Sequence, residues 1–311
     1  MKVLVIGDLS VSVAAETPRL PRPGDNLILD NPTLTASGVA ANISSDLRGL
    51  GVDTYVSGVV GRDVFGDVVL RELRSWGVHT RCIGRSPKPT SIFMVIVDGD
   101  GERTMMGYRG ASEALRLDRQ LIEEIEPDWV HVSGYTLLNH GQEKGLAQFI
   151  KAATSKGFVS LDLEGVAYGA RSLPLALEGA YVFCNLDEYR AYFRTNEVAP
   201  LSHPFTTLIK AGPRGSYLIR RGGMRRFRAF KTKVRDTNGA GDAFNAGFIY
   251  ARLSGFGEEE ACVWGNACAS LKVSGSGPHP RIGKDKVEAL VRGRLRRPSS
   301  RRGGRYPPRL A

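Results

Sequence analysis

The chain has 311 residues, 42% of them apolar, enough to bury a sizeable core as one large α/β domain, and no break in composition divides it in two. Its formal charge of +11 would suggest a nucleic-acid groove, but eleven Lys/Arg against two acids in residues 281–311 place +9 there and leave +2 on residues 1–280. No run approaches the ~18 apolar residues of a membrane span, and four cysteines without CxxC spacing (82, 184, 262, 268) indicate neither a zinc knuckle nor a disulfide framework. Reduced thiols in the cytoplasm fit that usage. Histidines 79, 131, 140, 203 and 279 are isolated from one another, which argues against metal ligation by them.

Residues 2–7 read as a first buried strand, too short for a signal peptide. Residues 11–34, rich in proline and polar side chains, break the rhythm before a helix over 39–50, a strand over 54–60 and a helix over 65–76. Residues 91–107 read as a hairpin: Ile92-Phe-Met-Val-Ile-Val97, a turn at Asp98-Gly-Asp-Gly101, then Arg103-Thr-Met-Met. Strands are expected over 129–133, 159–162, 181–184 and 207–210, and helices over 142–153, 187–193, 240–253 and 258–273. Such alternation predicts a doubly wound, mostly parallel sheet with helices on both faces and ligands beyond the carboxyl ends of the strands. Residues 292–311, basic and rich in Pro, Gly and Ser, are expected to be a disordered tail attracting polyanions only nonspecifically, with no specific nucleic-acid partner. A rival reading makes the tail a recruiting element on a vestigial catalytic body.

The run Arg235-Asp-Thr-Asn-Gly-Ala-Gly-Asp-Ala-Phe244 carries the most chemistry. Gly239, Ala240 and Gly241 open an apolar helix, whose free N–H groups and positive dipole end attract anions, and Asp242 adds a carboxylate beside them. By itself the pattern is also an ordinary turn with an acid in the first helical turn. It is neither a Walker A loop, having no Lys-Ser/Thr after the glycines, nor a GxGxxG, since Phe244 stands where the third glycine belongs.

Asp236-Thr-x-Gly-Ala-Gly-Asp242 resembles the C-terminal signature of the ribokinase-like (PfkB) carbohydrate kinase family, and the likeness extends along nearly the whole chain. Ser37-Gly-Val-Ala-Ala-Asn42 resembles its N-terminal Gly-Gly-x-x-x-Asn, with Ser37 in place of the first glycine. Leu50-Gly-Val-Asp53, Gly58-Val-Val-Gly-Arg-Asp63 and Phe65-Gly66 follow it too. Asn185-Leu-Asp-Glu188 is similar to its Asn-x-x-Glu motif, and is equally a helix capping box. Asp162-Leu-Glu164 departs from Asp-x-Asn at Glu164, and Lys210-Ala-Gly-Pro-Arg-Gly215 resembles Lys-x-Gly-x-x-Gly.

The resemblance implies a three-layer α/β/α kinase domain over 1–291, with lid segments at 11–34 and 91–107 that also serve homodimerisation. It implies ATP and magnesium as cofactors, and a monovalent cation held in relatives near Asp236 and 273–277 is left open. Asp242 would be the base and Gly239, Ala240 and Gly241 the anion hole. Gly38 and Asn42 would meet the substrate, with Asp8, Asp25, Tyr108 and Arg109 as further contacts. Asn185, Lys210, Gly212, Gly215, Thr237 and Asn266 would flank the nucleotide, and Asn185 and Glu188 would hold magnesium mainly through water. The acceptor is a sugar or, given Arg109, a sugar acid; a nucleoside or a phosphorylated sugar is the alternative. Gly7-Asp-Leu-Ser-Val-Ser12 departs from the usual Gly-x-x-x-x-Asp by ending in Ser12.

Overall fold

Apolar runs and amphipathic segments alternate along the chain and fold as β and α elements in turn. The computed structural model describes residues 1–99, 103–139, 142–168, 177–199, 204–275 and 282–295. β1 (Lys2–Ile6) leads to β2 (Ser10–Glu16), β3 (Asp30–Ser37), α1 (Val39–Gly49), β4 (Asp53–Gly61), α2 (Val64–Ser75), β5 (Ile83–Ser86), β6 (Ser91–Val97) and β7 (Arg103–Tyr108). Then come α3 (Gln120–Ile125), β8 (Trp129–Ser133), α4 (Gln142–Thr154), β9 (Phe158–Asp162), β10 (Tyr181–Asn185), α5 (Leu186–Phe193), β11 (Thr206–Lys210), β12 (Ser216–Arg220) and β13 (Gly223–Phe227). Three helices follow: α6 (Ala240–Leu253), α7 (Glu258–Ser274) and α8 (Lys284–Leu295).

Nine strands form one sheet in the order β13-β12-β11-β10-β9-β8-β1-β4-β5. It is parallel from β11 to β5, with β12 and β13 antiparallel at one edge. Because side chains alternate across a strand, Val3, Val5, Tyr181 and Phe183 enter a core shared with α1, α2, α6, α7 and α8. Leu4, Ile6, Val182 and Cys184 enter the opposite core, shared with α3, α4 and α5. Burial on both faces is why these strands read as unbroken apolar runs. The chain leaves β1 toward β4 on one side and returns to β8 on the other, so the sheet reverses its winding between β1 and β8. In open α/β sheets the carboxyl ends of the strands at such a reversal are where ligands bind.

The two segments that interrupt the rhythm build a separate four-stranded sheet, β3-β2-β6-β7, in which β6 and β7 form the expected hairpin and β2 pairs with β6 in parallel. The middle of its turn, residues 100–102, lies outside the described residues, as do His140, His203 and His279. Register aligns Leu34, Val13, Met94 and Met106 in one row across the four strands, and Leu34, Met94 and Met106 are exposed.

The strands β5 and β13 and the helices α3 and α8 have no counterpart among the expected elements, whereas β12 follows the glycine-cornered turn at Lys210–Gly215 that also reads as a strand-to-strand turn. The boundary expected at Arg292 falls inside α8, because Arg294 lies over Phe230, 3.4 Å from its ring centroid, and donates to the carbonyls of Arg228 and Ala229. Residues 296–311 of the expected tail lie outside the described residues. Among the described residues no helix is long and apolar enough to cross a membrane.

One buried group makes a stability prediction. Ser160 Oγ accepts from Trp129 Nε1 and lies 2.7 Å from His131 Nδ1. Burial depresses His131 from 6.5 to about 4. Between those pH values the unfolded chain binds the extra proton, so the stabilisation His131 gives above pH 6.5 is lost as pH falls toward 4, about 3 kcal/mol in all. His131→Phe is expected to flatten the acid limb of a plot of unfolding free energy against pH.

Candidate active site

Five strands deliver polar side chains to one rim. Asp8 follows β1, Ser133 ends β8, Asp162 ends β9, Asn185 ends β10 and Lys210 ends β11. Two helices point their N-termini at the same place, and both begin at a glycine with no side-chain cap: Gly38 (φ 95°) before α1 and Gly239 (φ 68°) before α6. Left-handed φ favours glycine at both, and space demands it at Gly38, where a Cβ would stand 2.4 Å from the Asp8 carbonyl oxygen. Asn42 Nδ2 donates to Asp242 Oδ2 at 2.7 Å, joining the two helix starts.

The first turn of α6 lies between two lysines. A Cβ on Gly239 would be 3.1 Å from Lys272 Cε, and one on Gly241 would be 3.4 Å from Lys210 Nζ. Lys210 also pairs with buried Asp162, whose Oδ2 accepts from Asn245 Nδ2 at 2.6 Å. Burial alone would raise the Asp162 carboxyl, but Lys210 and Asn245 hold it below its usual range. Asp242 is raised by burial, against the pull of Asn42 and Lys210. Glu164 is raised well above the usual carboxylate range by burial and by Asp162; its Oε2 accepts from Ser133 Oγ and from the Tyr135 amide. A partly buried carboxylate with a raised pKa, beside open helical N–H groups and an ammonium, can take a proton from a hydroxyl while an anion is held next to it.

The remaining candidates divide. Arg109 grips Asp8 with its fork, Nε to Oδ2 at 2.9 Å and Nη2 to Oδ1 at 3.1 Å, and reaches the Tyr135 carbonyl and Asn139 Oδ1. The pair is therefore an internal ion pair at the rim, and the guanidinium fork that suggested a sugar acid already holds a carboxylate of the chain itself. Tyr108 is exposed at the end of β7. Asp25 bonds Arg19 and the Arg22 amide within the loop between β2 and β3, and no described bond ties it to the rim.

Asn185 and Glu188 form a complete capping box, and both Glu188 oxygens accept from Asn185, at 2.7 and 2.8 Å. Gly212 and Gly215, both at positive φ, make the turn between β11 and β12. Thr237 is exposed, and its carbonyl accepts from the Ala240 amide at 3.3 Å. Asn266 Nδ2 is directed at Ser216 Oγ and the Phe227 carbonyl, so it braces β12 and β13. The Val273 carbonyl accepts from the Arg235 and Asp236 amides, and residues 276–277 of the proposed cation region lie outside the described residues. Sequence reasoning missed Lys272 and Asp46, a buried ion pair under the α6 turn. A lysine inside the apolar stretch Ala267-Cys-Ala-Ser-Leu-Lys272, and an acid one helical turn beyond Asn42, were the available signals.

The family model for pfkB carbohydrate kinases matches residues 1–282. The chain belongs to the pfkB family. This pfkB chain is 29% identical over 296 residues to an ATP-dependent ribose-1-phosphate kinase of Halopiger xanaduensis, covering 94% of this chain and 98% of that protein. It is 25% identical to a ribokinase of Bacillus subtilis, covering 93% and 99%. Arabidopsis thaliana ribokinase, solved with ribose and ATP, superimposes with a TM-score of 0.77 at 24% identity, covering 93% of this chain and 98% of that one. The pfkB assignment makes the chain a phosphotransferase with an alcohol acceptor.

Proposed function

We propose that this chain transfers the terminal phosphoryl group of ATP to a hydroxyl of a neutral sugar, with Asp242 as base. The observation that carries the reading is the Asn42–Asp242 contact at the uncapped start of α6. An acceptor hydroxyl beside Asp242 would lose its proton to the carboxylate. The amides of Gly239, Ala240 and Gly241 would hold the transferred phosphoryl group, and the long Ala240–Thr237 contact would give way to it. Asp8, oriented by Arg109, would accept hydrogen bonds from sugar hydroxyls, joined by Asn42 over Gly38. Lys210 and the turn at Gly212 and Gly215 would flank the nucleotide.

The donor set suits a hydrated magnesium carried by the nucleotide. Glu188 offers hard oxygens beside Asp162 and Lys210, and no group of three metal-ligating side chains occurs among the described residues. Magnesium, when bound, would neutralise phosphate charge, with Asn185 and Glu188 holding it through water. The small sheet would act as a lid that excludes water, and the row Leu34, Val13, Met94 and Met106 would pair two lids in a homodimer. Met106→Glu is then expected to halve the mass measured by sedimentation. Four free cysteines suit a cytoplasmic enzyme.

A second reading, a phosphorylated sugar as acceptor, is favoured by the similarity to a ribose-1-phosphate kinase. ADP release measured with neutral sugars, sugar acids, sugar phosphates and nucleosides separates the two. Turnover confined to neutral sugars supports the first reading, turnover confined to sugar phosphates replaces it with the second, and preference for a sugar acid or a nucleoside overturns both.

A further inference from the structure

Lys272 and Asp46 are 3% and 1% exposed, and the lysine Nζ lies 3.1 and 3.4 Å from the two carboxylate oxygens. A buried ion pair is a poor source of stability, since apolar residues of similar volume usually serve the fold as well or better. The helices that carry the pair line a core that holds Ile43 and Leu47 of α1, Ala243 of α6 and Cys268 of α7, with Leu271 packed against it. The pair's position is specific. A Cβ on Gly239 would lie 3.8 Å from both Lys272 Nζ and Asn42 Nδ2, so ammonium, amide and the cap of α6 converge on one spot. Asn42 and Asp46 are one turn apart on α1, and Asn42 holds Asp242.

We propose that Lys272 is a positioning residue of the transfer site, a buried cation balanced by Asp46 that keeps Asp242 ionised and supports the phosphoryl-holding turn from beneath. The proposal rests on Asp242 acting as the base. The charges that bear on Asp242 come from every packed element: Lys210 on β11, Asp162 and Glu164 at the end of β9, Lys272 on α7 and Asp46 on α1. Burial pushes the Asp46 carboxyl up, Lys272 pulls it down, and Asp242 adds to the rise; Cys268 is the other titratable neighbour, and Asp46 adds to the rise in its thiol that burial causes. Lys272 therefore bears on two carboxylates and lowers both.

The two partners should shift the enzyme in opposite directions. Lys272→Met removes the cation, and the acidic limb of the kcat–pH profile is expected to move up by about one pH unit. Asp46→Asn leaves the cation unopposed, and the limb is expected to move down. The double variant Asp46→Asn/Lys272→Met removes both charges. It is expected to fold, to place the limb near the native position, and to lose about tenfold in kcat because the cation at the Gly239 end of the turn is gone and only Lys210, beside Gly241, remains. Circular dichroism and thermal melts establish folding, and Asp242→Ala is run alongside.

Opposite shifts establish the role. Folded single variants whose limbs stay in place or move together overturn it, as does a double variant with native kcat if a single variant does not fold. If Asp242→Ala retains native turnover, the assignment of the base fails instead, whatever the limbs do.

Discussion

Asp242→Ala is expected to lower kcat by about 10² to 10⁴ while leaving nucleotide binding largely intact. The carboxylate is the one partly buried acid that combines contact with the α1 start, through Asn42, with a place in the first turn of α6. Burial raises its pKa, so its ionised form costs stability as pH rises above the ordinary carboxylate range. Removing it should then leave the melting temperature at or above the native value at neutral pH. That pairing of lost turnover with retained stability separates a catalytic acid from a structural one. Asp242→Asn keeps a polar group opposite Asn42 and should be as inactive as the alanine variant. A loss of only a few fold in either would remove Asp242 from the role of base.

Lys210→Met should act in the opposite sense on stability. Asp162 is almost fully buried and depends on Lys210 and Asn245 for its charge. Taking away the ammonium leaves a buried carboxylate with one neutral donor, a change that costs about 3–5 kcal/mol. Burial works against the lysine too, and Asp162 and Glu188 reverse that effect and raise its pKa. The double variant Lys210→Met/Asp162→Asn is expected to regain most of the lost stability in urea unfolding, because the unpaired charge is gone. It should not regain turnover, because the cation beside Gly241 is gone as well. Stability unchanged in the single variant would mean that the pair contributes nothing to the fold.

Much of the fold is legible because parallel strands buried on both faces are local apolar runs, and helices α1, α2, α6 and α7 carry their own glycine or acidic starts. The strand β13 is not: Gly223-Met-Arg-Arg-Phe227 lies at a sheet edge, where exposed arginines replace the apolar alternation. Helix α8 was hidden by its basic composition, since its buried Val287 and Val291 are spaced too sparsely among charges to stand out. In the site, motifs local in sequence were visible, and partners distant in sequence were not. Nothing near Asp8 announces Arg109, 101 residues away, yet their pairing changes what the arginine can recognise. Lys272 and Asp46 are 226 residues apart, and each alone reads as an anomaly in an apolar helix. Asn266 lies in the helix expected beside the nucleotide, but what its amide meets is set by the β12–β13 edge that the sequence hid.

The most direct test follows label from ATP radiolabelled in its terminal phosphate into a sugar acceptor, with magnesium, for the native chain and Asp242→Ala. The account predicts label in the sugar at native rates only with Asp242 present, and little ADP when the acceptor is left out. Label transferred equally well by the alanine variant, or ADP formed at the same rate without acceptor, would contradict it.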